Sequence, residues 1–106
     1  MGKGKRERPA RLGAKLAEIR KKLELSQNEM LRRLELDSKL TREELSAYER
    51  GVREPTLLTI LKYAQAAGVY TDALIDDNVD LPIKLPATPR HEGIPRIKSV
   101  RGKGRQ

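Results

Sequence analysis

The apolar positions of the chain fall into helical blocks. Leu12, Leu16, Ile19 and Leu23 recur at spacings of four, three and four, which is one face of a helix predicted over residues 10–23. Pro9 stands where a helix start tolerates proline. Ser26 followed by Glu29 forms a capping box, in which hydroxyl and carboxylate each satisfy an orphan backbone N–H. It opens a second helix with Met30, Leu31 and Leu34 facing inward. Thr41 and Glu44 repeat the device and open a third helix with Leu45 and Tyr48 inward, ending at Gly51. Pro55-Thr56 starts a fourth, with Leu57, Ile60, Leu61 and Ala64 on its inner face and Gly68 as its end. Thr71-Asp72 caps a short fifth helix through Ile75. No strand pattern precedes Asn78. Beyond it Val79, Leu81, Ile83 and Leu85 alternate with Asp80, Pro82, Lys84 and Pro86, a strand period that the prolines confine to an edge or an extended segment. Two readings stay open for residues 78–86: a linker lying on the helices, or an arm that pairs with a second subunit.

Charge changes this picture by its placement. The 106 residues carry a formal net charge of +8, yet residues 1–11 hold +4, residues 84–106 hold +6 and the helical middle holds −2. The ends also lack an apolar pattern, and the last stretch is rich in Pro and Gly. Such segments bury too little to offset ordering entropy and are expected to be flexible basic tails. The expected organisation is therefore a basic arm over residues 1–9, an all-α domain over 10–77, and an extended basic tail over 78–106. The chain has no Cys and a single His, His91, which excludes thiolate and multi-histidine metal sites and a disulfide framework. No apolar run approaches the roughly 20 residues of a membrane span, and no signal-peptide pattern opens the chain. A glycine-rich phosphate loop is absent, and Asp76, Asp77 and Asp80 cluster without a visible base or metal partner. An enzyme, a cofactor and a small-molecule ligand are thus not expected. Excess positive charge points to nucleic acid or an anionic surface.

The run Leu25-Ser26-Gln27, then Leu34, Leu45-Ser46-Ala47-Tyr48-Glu49-Arg50-Gly51, Pro55-Thr56, Leu61-Lys62-Tyr63-Ala64 and Gly68-Val69 resembles the Cro/repressor-type (Xre) helix-turn-helix family. The resemblance covers about residues 10–77. It implies a compact five-helix, lambda-repressor-like domain that binds double-stranded operator DNA, usually as a homodimer, in the cytoplasm on the nucleoid. The family pairs an Arg late in the first helix with the Glu before the glycine of the third, and Arg20 and Glu49 occupy those places. The resemblance implies a structural salt bridge between them; each alone would read as a solvated charge. The sequence departs from the family between helices 2 and 3. The segment Glu35-Leu36-Asp37-Ser38-Lys39-Leu40 is about four residues longer than usual and lacks the small glycine of the turn. Either helix 2 runs on or the turn is a true loop.

Carried over by position, the resemblance implies that Arg42, Glu43, Ser46 and Ala47 meet base edges in the major groove: Arg42 a guanine, Glu43 a cytosine amino group, Ala47 a thymine methyl. Gln27, Lys39, Arg50 and Arg53 would contact the DNA backbone, Gln27 beside the N–H groups of a helix start. Glu43 and Glu44 equally suit a helix N-terminus as stabilisers of its dipole. The tails would supply salt-dependent affinity. Three functions compete: a sequence-specific transcriptional regulator, a protein-interaction or antitoxin-like adaptor on the same helical body, and nonspecific nucleic-acid binding through the tails alone.

Overall fold

A computed structural model describes residues 7–88. The expected basic arms lie mostly on residues 1–6 and 89–106, outside the described residues, as does His91. Five helices follow in order: α1 Leu12–Lys22, α2 Gln27–Arg33, α3 Arg42–Glu49, α4 Leu57–Ala67 and α5 Asp72–Ile75. No strand occurs among the described residues, and none of their helices is long and apolar enough to cross a membrane. α1 is the hub, packing against α3, α4 and α5, while α2 packs on α3.

Local chemistry sets the helix boundaries. Both capping boxes form: Ser26 Oγ accepts from the Glu29 amide at 3.1 Å and Glu29 accepts from the Ser26 amide at 2.7 Å, and Thr41 and Glu44 do the same at 3.1 and 2.9 Å. α1 to α4 all terminate alike. A residue at positive φ (Glu24, Glu35, Gly51, Gly68) follows the last turn. The next amide then bonds a carbonyl five residues back, as Val52 N–H does with the Ala47 carbonyl at 3.0 Å. The long connection after α2 is a true loop: α2 stops at Arg33 and Glu35 reverses the chain. Leu36 then plugs into the core, its carbonyl accepting from the Lys39 and Leu40 amides at 2.9 and 2.8 Å.

The core gathers Leu12, Leu16 and Ile19 of α1, Met30 and Leu31 of α2, Leu45 and Tyr48 of α3, Ile60, Tyr63 and Ala67 of α4, and Leu74 of α5. One expectation fails here. Leu57 and Leu61 do not face inward; Leu57 is 83% exposed and Leu61 40%, and Thr59, Tyr63 and Ala67 take the inner face with Ile60 and Ala64. α4 is apolar nearly all round, so spacing alone left its orientation undetermined.

Residues 79–88 lie along the helices. Leu81 is buried, Leu85 packs against the core, and the Ala87 amide bonds the Ala67 carbonyl at 2.7 Å. At Gly68 a Cβ would overlap the Ala87 carbonyl, so the glycine makes room for this segment as well as supplying the helix end. The segment's other anchor is electrostatic. The Lys15 side chain is buried, and its ammonium donates to the carbonyls of Ala73, Asp76 and Val79 at 2.8, 2.8 and 2.6 Å, which uses all three of its hydrogens. α1 has no capping side chain of its own. Asp77 caps it from a distance, accepting from the Ala10 and Arg11 amides at 2.8 and 3.0 Å, and the Arg11 guanidinium bonds the Asp77 carbonyl and the Asp80 carboxylate.

α3 is held from behind by α1 at two points. A Cβ on Gly13 would lie 2.7 Å from the Tyr48 carbonyl oxygen and 2.9 Å from that of Glu49, so the two backbones touch there. About two turns along α1, Arg20 Nε and Nη2 donate to the two Glu49 carboxylate oxygens at 2.6 and 3.0 Å, and Nη1 donates to the Leu25 carbonyl at 3.1 Å. The Glu49 carboxylate raises the Arg20 guanidinium above its usual value against the opposing effect of burial. Tyr63 of α4 is buried beside this pair. Its hydroxyl has no hydrogen-bond partner among the described residues, and burial, reinforced by Glu49, pushes it well above the ordinary tyrosine range.

Three outcomes follow for stability. Gly13→Ala, which in an unobstructed helix would gain about 1 kcal/mol, is expected instead to lose about 1–3 kcal/mol in denaturant unfolding because α3 must shift. Tyr63→Phe removes an unpaired buried hydroxyl and is expected to leave stability unchanged or raise it by up to about 1 kcal/mol; a clear loss would show the hydroxyl to be engaged. The backbone N–H groups of Ala10 and Arg11 hold Asp77 below the usual carboxylate range, Arg11 does so for Asp80, and the Ser26 amide and hydroxyl for Glu29. A depressed carboxylate stabilises the fold above its unfolded value and ceases to do so as pH falls through its folded value. The unfolding midpoint should therefore drop on acidification below about pH 4, with a shallower acid limb in Asp77→Asn.

Candidate nucleic-acid interface

α3 buries Leu45 and Tyr48, four and seven places after its cap at Thr41. Helical geometry then turns positions 42, 43, 46 and 47 outward together. Arg42 and Glu43 are exposed, and Ser46 and Ala47 half-exposed, so these four side chains form one continuous stripe along the helix. Arg42 Nη2 lies 3.5 Å from Glu43 Oε2, an exposed pair within the stripe. Arg50, at the C-terminal end of α3, donates through Nε to Ser46 Oγ at 3.3 Å and extends the stripe by a turn. The stripe thus offers a guanidinium donor, a carboxylate acceptor, a hydroxyl and a methyl, the set of groups that reads base edges.

The remaining residues separate. Arg53 follows the reversal at Gly51 and reaches back to Glu44, Nη1 to Oε2 3.8 Å, on the exposed side. Glu44 therefore serves both its own capping box and Arg53, and it also raises the Tyr48 hydroxyl, secondary to that group's burial. Lys39 is exposed on the loop of residues 34–41, next to the start of α3. Gln27, the first residue of α2, is half-buried, and its side-chain amide donates to Glu49 Oε1 at 3.3 Å. It joins Arg20 and Glu49 rather than the exposed stripe. Sequence reading had no signal for that contact, because it spans two helices.

In sequence Lys39 precedes the stripe, Arg50 continues it past Ala47, and Arg53 follows with its guanidinium turned back toward Glu44. The only two acidic groups in the first turn of α3 are Glu43 and Glu44, and Glu44 is turned toward the Thr41 cap. No group of three or more His, Cys, Asp or Glu able to hold a metal ion occurs among the described residues.

A helix-turn-helix domain family model matches residues 13–78, from the close α1–α3 contact at Gly13 to the end of the Asp76–Asn78 turn. No curated protein and no solved structure gives a significant match to the chain. With two capped helices, α2 and α3, joined by an anchored loop and buttressed by α1, and with well over half its length covered by that model, the chain belongs to the helix-turn-helix domain family.

Proposed function

We propose that the chain is a sequence-specific transcriptional regulator of the Xre type that binds double-stranded DNA, with α3 in the major groove and the basic tails on the backbone. The observation that carries this reading is the outward stripe of Arg42, Glu43, Ser46 and Ala47 on a helix fixed from behind by Gly13 and by the Arg20–Glu49 pair. A reading helix must be aimed to within a fraction of an ångström to discriminate bases, and a rigid support is what makes that possible. Arg42 pairs bidentately with a guanine, Glu43 accepts from a cytosine amino group, Ser46 bonds whichever edge faces it, and Ala47 meets a thymine methyl.

Lys39, Arg50 and Arg53 hold the phosphates on either side. Gln27 presents the start of α2 to the backbone, its own amide steadied by Glu49. Within the stripe one positive and one negative side chain cancel, so affinity comes from the flanking cations and from the tails, and it falls steeply with salt. The chain acts as a homodimer on paired half-sites, in the cytoplasm and on the nucleoid.

Selection of bound duplexes from a random pool is expected to return a preferred sequence. Arg42→Ala should lower affinity for that sequence by about ten- to a hundredfold in gel shifts and leave binding to unrelated duplex nearly unchanged. Arg53→Ala should weaken both alike and reduce the salt slope by about one. Equal binding of all duplexes by the wild type and by Arg42→Ala would overturn specific reading by α3 and leave binding to the tails.

A further inference from the structure

The two basic tails leave the helical body at opposite ends of α4. Arg8, near the first described residue, lies with Arg53, Pro55 and Leu57 at the start of the helix. At the other end the Ala87 amide bonds the Ala67 carbonyl, one residue before the described chain stops at Thr88. The 11 residues of α4 put about 16 Å between these ends. The N-terminal arm therefore starts next to the end of the reading helix. The C-terminal tail starts elsewhere, at a groove of about 330 Å³ whose wall includes Ala87 and Thr88.

That groove runs between the end of α4, α5 and the segment that closes the domain. Val69, Tyr70 and Ala73 line one side, and Val79, Pro82 and Ala87 the other. Tyr70 and Val79 are each more than a third exposed, so apolar surface faces solvent there. Two exposed carboxylates complete the lining. Asp72 has no side-chain partner among the described residues, and Asp80, which gives one oxygen to Arg11, is still 83% exposed.

The geometry points to the chain's own C-terminal tail as the occupant of this groove, through the stretch from Ile94 to Val100. The sequence of that stretch fits the lining. Ile94, Ile97 and Val100 recur at every third position, the period of polyproline II, so an extended segment turns all three to one side. Arg96, Lys98 and Arg101 fall between and after them and suit the carboxylates of Asp72 and Asp80. The connection fits as well. Residues 89–93 alone separate Thr88, in the groove wall, from Ile94. They reach at most about 18 Å, far enough to turn back and short enough to hold the stretch at an effective concentration on the order of millimolar. Contacts too weak to retain a separate peptide therefore suffice. The other exposed apolar surface, Leu57 and Leu58, lies at the far end of α4 beside Arg8 and Arg53, which repel a basic segment.

Docking sets the cations of this stretch against the body, so groove and duplex compete for them. That consequence rests on the DNA binding proposed above; the docking itself does not. A docked state favoured tenfold over the released one lowers the affinity that the tail supplies to DNA by about the same factor.

The test follows the tail by nuclear magnetic resonance in the full chain, without DNA. The chain has no cysteine, so Ser99→Cys takes a single nitroxide label. The label is expected to broaden the amide signals of Val69, Tyr70, Ala73 and Val79 and to leave those of Leu57 and Leu58 sharp. Adding Ile94→Ser and Ile97→Ser, which keep every charge, should abolish that broadening. Nitroxide-bearing chain mixed with isotope-enriched wild type should broaden nothing in the latter, because the docking is within one chain. Broadening spread evenly over the surface or centred on Leu57, its survival in the double serine variant, or its transfer to the other copy in the mixture would each overturn the inference. Gel shifts then test the competition. Ile94→Ser with Ile97→Ser should bind unrelated duplex up to about tenfold more tightly than the wild type at low salt, and equal or weaker binding would overturn it. The resonance measurement contains no DNA, so the docking can fail while sequence selection through Arg42 stands, and the reverse.

Discussion

The two parallel hydrogen bonds between Arg20 and Glu49 fix the arrangement on which the rest of the molecule depends. Arg20 sits in the last turn of α1, and Glu49 is the last residue of α3. A third donor from Gln27, the first residue of α2, and the bond from Arg20 to the Leu25 carbonyl bring three helices and one connection to a single carboxylate–guanidinium plane. Both side chains are mostly hidden, with 15% and 7% of their surfaces exposed. A planar, bidentate pair resists rotation about the line joining the helices. A pair out of water also punishes the loss of either member, because the survivor is left as an uncompensated charge. Apolar packing would hold α1 and α3 together without choosing their angle so narrowly. The backbone contact at Gly13 sets the distance between them, and the ion pair sets the rotation.

Where physical signals are local, the chain was readable. Both capping boxes involve residues three apart, so the starts of α2 and α3 were legible from Ser26, Glu29, Thr41 and Glu44. Gly51 and Gly68 marked two helix ends, but Glu24 and Glu35 take the same left-handed conformation without being glycine, and for that reason the end of α2 stayed open between a longer helix and a loop. Arg42, Glu43, Ser46 and Ala47 were reached through the family resemblance, carried over by position; helical geometry accounts for their sharing one exposed face. What escaped depends on distance along the chain or on ambiguity of pattern. Asp77 capping α1 joins residues 66 and 67 apart. Leu36, alone in a polar stretch, gave no period to read. α4 has apolar residues on every side, and its exposed leucines could be recognised only once its neighbours were in place.

The charge distribution acquires a different meaning once the folded unit is seen. The excess of +8 over the whole chain resides in its ends, and the helical middle is slightly acidic. In the described residues several of the middle's carboxylates are engaged: Glu29 and Glu44 in caps, Glu49 with Arg20, Asp77 and Asp80 with the start of α1. Arg20 and Arg11 neutralise Glu49 and Asp80 locally, and hydrogen bonds tie the others into helix caps. Lys15 and Arg20 are likewise occupied within the body. The cations placed around α3 are therefore a minority of the total, and their positions say more about function than the net figure does.

The anchoring of residues 73–80 by Lys15 has an evolutionary corollary. All three acceptors are main-chain carbonyls. Any residue but one that distorts the backbone can supply such an oxygen, so Ala73, Asp76 and Val79 can be exchanged without disturbing the bonds. The lysine, in contrast, has no substitute of the same length and donor number. Among related chains the constraint would register as one invariant position without a co-varying partner, and methods that infer contacts from paired substitutions would miss this tie between the first helix and the segment that closes the domain.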